Sequence, residues 1–116
     1  MLTIYHNPRC SKSRQTLQII QDAGAEVEVV EYLKTPLDKK ALKALTKKLS
    51  MSVRDIIRTS EEAYKEQNLK DDSLSDDALL DAIVDTPKLM QRPIVVSGNK
   101  AVIGRPPENV LELIND

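Results

Sequence analysis

Leu2-Thr3-Ile4-Tyr5-His6-Asn7-Pro8-Arg9-Cys10-Ser11-Lys12-Ser13-Arg14 is the stretch on which the fold turns. Leu2 to Tyr5 is short and apolar enough for a buried strand. His6-Asn7-Pro8-Arg9 breaks it with turn chemistry, and Ser11 opens a helix that runs to about Ala23. On that helix Leu17 and Ile20 share one face, Ile19 and Ala23 flank it, and Gly24 falls where a left-handed C-terminal cap is expected. Glu26-Val27-Glu28-Val29-Val30 then alternates charge with valine, the period-two pattern of a strand with one wet face. Strand, helix and strand in this order predict a right-handed crossover unit with parallel strands and the helix packed across them.

Further along the chain, Thr35-Pro36 ends the second strand, and Leu42, Leu45 and Leu49 between lysines predict an amphipathic helix over 38–49. Ser52 reads as the N-cap of a shorter helix carrying Val53, Ile56 and Ile57. Ser75-Asp76-Asp77 heads another through Leu79, Leu80, Ile83 and Val84, stopped near Thr86-Pro87. Ile94-Val95-Val96 and Ala101-Val102-Ile103 flank Ser97-Gly98-Asn99-Lys100, a tight hairpin signal. Gly104-Arg105-Pro106-Pro107 then leads into a last helix with Val110, Leu111 and Ile114 facing inward. The predicted class is therefore α/β, in the order β-α-β, a helical insertion at about 38–88, then β-β-α around a mixed four-stranded sheet. With 116 residues, 41% of them hydrophobic, the chain suits one domain over 1–116 built on a single core.

Composition removes several functional classes. Lys and Arg number 17 against 18 Asp and Glu, so no overall positive field exists to hold nucleic acid or an anionic membrane. Three Tyr without Phe or Trp offer no stacking platform for bases. The start of the chain runs straight into a strand without a charged leader, and no apolar stretch is long enough to span a bilayer, so a cytoplasmic protein is expected. One Cys and one His, close in sequence, cannot supply a zinc site, and one Cys excludes an internal disulfide.

Chemistry concentrates at Cys10. It sits where a strand hands over to a helix, so free N–H groups and the positive end of the helix dipole favour its thiolate. Ser13 and Arg14 follow at three and four residues and can add a hydroxyl and a guanidinium to the same turn. Arg9, Ser11 and Lys12 flank it, which is no sequence for a buried, inert cysteine. His6 suits a proton shuttle or electrostatic neighbour equally with a hydrogen-bonded structural residue. Arg92 precedes Pro93 at a strand entry, a place where proline is often cis; Arg58 and Arg105, taken singly, read as surface charges. A cysteine-phosphatase loop would need an arginine where Thr16 stands, and a C-x-x-C redox motif would need a cysteine where Ser13 stands. Any disulfide of Cys10 must therefore form with an external thiol such as glutathione or a glutaredoxin.

His6 to Arg14 resembles the active-site segment of the glutaredoxin-dependent arsenate reductases, the ArsC family. Tyr32-Leu33-Lys34-Thr35-Pro36, Ser52-Val53-Arg54 with Arg58, Arg92-Pro93-Ile94-Val95-Val96 and Gly104-Arg105-Pro106 resemble further blocks of that family in order and spacing. Arg9-Cys10-Ser11-Lys12 is the form of its short chromosomal YfgD-like branch. The resemblance implies a thioredoxin-like fold, Cys10 as the catalytic nucleophile that forms a thiol–arsenate adduct, and Arg58, Arg92 and Arg105 as holders of the oxyanion. It implies that His6, Ser13 and Arg14 lower the pKa of the nucleophile. It also implies arsenate as substrate, glutathione and glutaredoxin as external reductants, no bound cofactor or metal, and a monomer. Two alternatives stand beside it: a general glutathione-dependent thiol-disulfide reductase, which has no use for three oxyanion arginines, and an Spx-like regulator that binds RNA polymerase, which typically switches through C-x-x-C.

Overall fold

In the computed structural model, residues 1–114 are described, and the chain divides into two units: Met1–Thr35 with the chain from Arg92 onward, and Pro36–Gln91. The first unit contains β1 (Leu2–His6), α1 (Ser11–Asp22), β2 (Val27–Glu31), β3 (Ile94–Ser97) and β4 (Lys100–Ile103). It forms a four-stranded sheet in the order β2-β1-β3-β4. β1 pairs parallel with β2, Ile4 opposite Val29, and antiparallel with β3, Ile4 opposite Val95. β3 pairs antiparallel with β4, so the sheet is mixed. Parallel β1 and β2 follow from the α1 crossover, which is too long to close a hairpin; β3 and β4 are joined by the Gly98-Asn99 turn, where Gly98 takes φ +58.

Central and edge strands differ as their burial requires. β1 alternates buried and half-buried residues, whereas Ile94, Val95 and Val96 of β3 are all buried, as a strand covered on both faces demands. On one face Leu2, Ile4, Ile20, Val95, Val110 and Leu113 form a core, with Leu17, Ile19 and Val27 packed against it. Full burial of each such aliphatic side chain contributes roughly 1.5–3 kcal/mol before entropy is subtracted. α1 ends as its sequence predicts: Ala23 and Gly24 return their N–H groups to the last turn, and Gly24 takes φ +72.

Departures from the sequence-based expectation are local. β2 is an edge strand, and its alternation does not become a buried and a wet face: Val29 is 44% exposed. At the chain end a 3-10 turn, Pro107–Val110, leads into α5 (Leu111–Ile114). Val110 and Leu113 face inward and Leu111 is 40% exposed, because positions three apart share a helical face and adjacent ones do not.

The second unit is helical: α2 (Lys39–Leu49), a 3-10 turn (Val53–Ile56), α3 (Glu62–Glu66), α4 (Asp76–Asp85) and a second 3-10 turn (Pro87–Leu89). Asp38 caps α2 by accepting from Ala41 N–H at 2.8 Å, and Ser75 caps α4 by accepting from Ala78 N–H at 3.1 Å. Leu42, Leu45 and Leu49 of α2 are buried, and α4 packs on α2 and on both 3-10 turns. The helix expected after Ser52 is a single 3-10 turn; Ile57 leaves it as extended backbone and bridges antiparallel to Met90. Sequence reasoning did not assign α3, whose five residues are too few for a periodic pattern.

Candidate active site

Cys10 occupies the N-cap of α1 with extended backbone, φ −94 and ψ 123. Its carbonyl accepts the first helical N–H, from Arg14, at 3.0 Å, and its own N–H donates to Asn7 O at 3.0 Å, closing the 7–10 turn. No side chain caps α1 and no acidic residue lies in its first turn, so its orphan N–H groups are left to the half-buried sulfur. Burial by itself pushes the Cys10 thiol up. The Ser13 N–H, the Arg92 side chain, the Arg105 charge and the Lys12 N–H together outweigh it, and the thiol is held below the ordinary value of 9.0.

Arg105 reaches the sulfur from the other end of the sequence: its Nη2 lies 3.4 Å from Cys10 Sγ, while its Nε donates to Arg92 O at 2.8 Å. This approach depends on Gly104. A Cβ there would stand 2.5 Å from Thr16 Oγ1 and 2.8 Å from Pro93 Cγ, and Gly104 N–H donates to Pro93 O at 2.9 Å. Only glycine lets the chain after β4 lie flat between the first turns of α1 and the Pro93 loop. Both Arg92–Pro93 and Arg105–Pro106 are cis.

Behind the sulfur lies a buried polar cluster. Ser13 Oγ is 2.6 Å from His6 Nδ1 and accepts from Asn7 N–H at 3.1 Å. The contact with His6 is made either by Oγ–H donating to Nδ1 or by Nδ1–H donating to Oγ, according to the ring tautomer. Burial pushes His6 down, Glu31 pulls it up and Arg14 pushes it down again; the net direction is down, in keeping with a neutral ring. Arg14 Nη1 donates to Pro8 O at 2.9 Å and ties α1 to the turn before it. Tyr32, 1% exposed, lies with its phenol in electrostatic reach of Arg92, Asn7 and Cys10.

Of the residues singled out in the sequence, the structure thus groups Cys10, His6, Ser13, Arg14, Arg92 and Arg105 in the sheet unit. Arg58 belongs to the helical unit, where its Nε meets Glu61 Oε1 at 3.3 Å and its N–H donates to Leu89 O at 2.7 Å. Asn7, Thr16, Tyr32 and Gly104 are the residues that sequence reasoning missed as parts of the site. Tyr32 stood in a quoted family block, but nothing in its local sequence shows burial beside a thiol. Among the described residues no cluster of His, Cys, Asp and Glu could hold a metal ion, and no helix is long and apolar enough to cross a membrane.

A lone cysteine at the N-terminus of the first helix, its thiol held below the ordinary value, on a mixed four-stranded sheet of this order, defines a thioredoxin-like protein with a single cysteine. The chain belongs to the ArsC family, which it matches over residues 5–113. It is 59% identical over 112 residues to the uncharacterized protein YfgD of Escherichia coli (strain K12), covering 96% of this chain and 94% of that one. It is 47% identical over 110 residues to an arsenate reductase of Neisseria meningitidis serogroup B, covering 94% of each. The solved structure of an arsenate reductase from Vibrio cholerae superposes with a TM-score of 0.94 at 50% identity, over 96% of this chain and 95% of that one. These relatives support arsenate reduction and an oxidoreductase class.

Proposed function

We propose that the protein reduces arsenate to arsenite through a covalent adduct on Cys10, with glutathione and a glutaredoxin as external reductants. The observation that carries this is the convergence of two guanidinium groups, from Arg92 and Arg105, on a sulfur already held toward the thiolate. A thiolate and an arsenate anion repel each other; planar donor forks neutralise that repulsion and hold a tetrahedral oxyanion for attack.

In the first step Cys10 Sγ attacks arsenic: an S–As bond forms, an As–O bond breaks, and the departing oxygen takes up a proton and leaves as water. Glutathione then attacks Cys10 sulfur. An S–S bond forms, the S–As pair stays on arsenic, and arsenic falls from the +5 to the +3 state as arsenite. Two sulfurs are oxidised to the mixed disulfide, which glutaredoxin reduces to free Cys10. The absence of a second cysteine in the chain makes this external resolution necessary. Arg58 enters as a third holder of the oxyanion on the strength of the sequence resemblance. Burial lowers the pKa of His6 and favours its neutral ring, so the charge that stabilises the thiolate comes from the backbone and the arginines.

Incubation with arsenate, glutathione and glutaredoxin is expected to yield arsenite, and Cys10→Ser to abolish it. No arsenite above a buffer control, together with turnover of a glutathione mixed disulfide, would reassign the protein as a thiol-disulfide reductase.

A further inference from the structure

The phenol of Tyr32 has no part in the steps above. It is 1% exposed, and among the described residues its Oη makes no hydrogen bond of good geometry. A hydroxyl withdrawn from water needs a partner, and its surroundings say which kind. Arg92 can only donate. Asn7 Oδ1 accepts from Arg9 N–H at 3.0 Å, and the Asn7 side chain lowers the pKa of the phenol, as an amide that turns its N–H groups toward the oxygen does. The side chains around Oη are therefore donors, and the hydrogen of the hydroxyl lacks an acceptor. The remaining neighbour in electrostatic reach is Cys10, where an anion is to be held.

We propose that Tyr32 is a further substrate-binding residue, its Oη–H donating a hydrogen bond to an oxygen of the tetrahedral oxyanion that Arg92 and Arg105 hold over Cys10. This rests on the reading of the site as an oxyanion-reducing centre and adds a neutral donor to its charged ones. The ring is locked by burial, so the donor is aimed before the anion arrives and costs no reorganisation. Burial, the largest influence on the phenol, raises its pKa and keeps the hydrogen in place at neutral pH.

Tyr32→Phe removes the hydroxyl and keeps the ring. The concentration of arsenate, or of unreactive sulfate, that half-protects Cys10 from iodoacetamide is expected to rise about tenfold, the loss of one hydrogen bond to a charged group. Alkylation without any anion is expected to change less than twofold. The thermal midpoint is expected to stay close to that of the unsubstituted protein, because the hydrogen removed had no acceptor; a hydroxyl whose hydrogen is bonded within the protein would lower it. Unchanged protection by oxyanions, or a lowered midpoint, overturns the proposal. If the unsubstituted protein makes no arsenite while oxyanions still protect Cys10, the arsenate-reductase reading fails and the Tyr32 comparison is still decided by protection. If no oxyanion protects Cys10 in the unsubstituted protein, both fail.

Discussion

Arg58 and Arg105 carry the same side chain and meet opposite surroundings. In the helical unit Arg54, Arg58, Lys39 and Lys43 are each held by their neighbours. Arg58 meets Glu61 three residues on, Arg54 donates to the Leu69 and Asp71 carbonyls, and Lys39 and Lys43 sit on Asp81 and Asp77 at 3.2 and 3.4 Å. In the sheet unit Arg105 has no carboxylate partner among the described residues; it spans a carbonyl and a sulfur 95 positions away. An arginine with an acid beside it must exchange that contact to take up an anion, whereas one without is available from the start. The contrast locates the chemistry more sharply than a count of arginines would.

The contrast can be broken from the sheet side first. Gly104→Val forces a branched side chain against Thr16 and Pro93, and a loss of about 3 kcal/mol in urea unfolding is expected. The same substitution displaces the start of Arg105, so the thiol should titrate closer to 9.0, followed by thiolate absorbance. Ser13→Ala strands His6 Nδ1 and Asn7 N–H in a buried place, at about 2 kcal/mol. Its thiol titration should move little, because Ser13 acts on the sulfur through its backbone N–H. On the helical side Asp38→Ala removes an exposed cap and should cost about 1 kcal/mol in the same unfolding experiment. Smallest in stability is Arg105→Ala, which leaves the melting midpoint nearly unchanged but raises the thiol pKa. An unmoved thiol in that variant would erase the distinction between the two arginines.

The pH dependence follows from the directions of the shifts. Cys10 is lowered in the folded protein, so the unfolded chain holds the thiol proton up to higher pH. The contribution of Cys10 to stability is present above 9.0 and is lost as pH falls through the folded value. His6 is also lowered, so the unfolded chain binds its proton first, and stability should fall as pH drops below the ordinary 6.5. Melting midpoints of the unsubstituted protein and Cys10→Ser across this range separate the two groups. A midpoint that rises on acidification through 6.5 would contradict the neutral His6.

Much of this molecule was legible as sequence because the signals are local. The strand–turn–helix junction around Cys10, the caps at Asp38 and Ser75, the Gly98-Asn99 hairpin and the helix stop at Gly24 each depend on a few adjacent residues and their backbone preferences. Where local pattern failed, a neighbour in space had decided. The edge position of β2 exposed Val29, and α1 buried Ser13 and Thr16 on the face that the apolar pattern had given to Leu17 and Ile20. The sequence by itself determined where the single sulfur stands and what frame presents it, since a helix start makes its own anion site from backbone N–H groups. Only the tertiary structure decided which arginines attend that sulfur, that Gly104 lets one of them approach, and that Tyr32 stands buried with a hydrogen to give. Those facts join residues far apart along the chain, and no local preference encodes a distance across the fold.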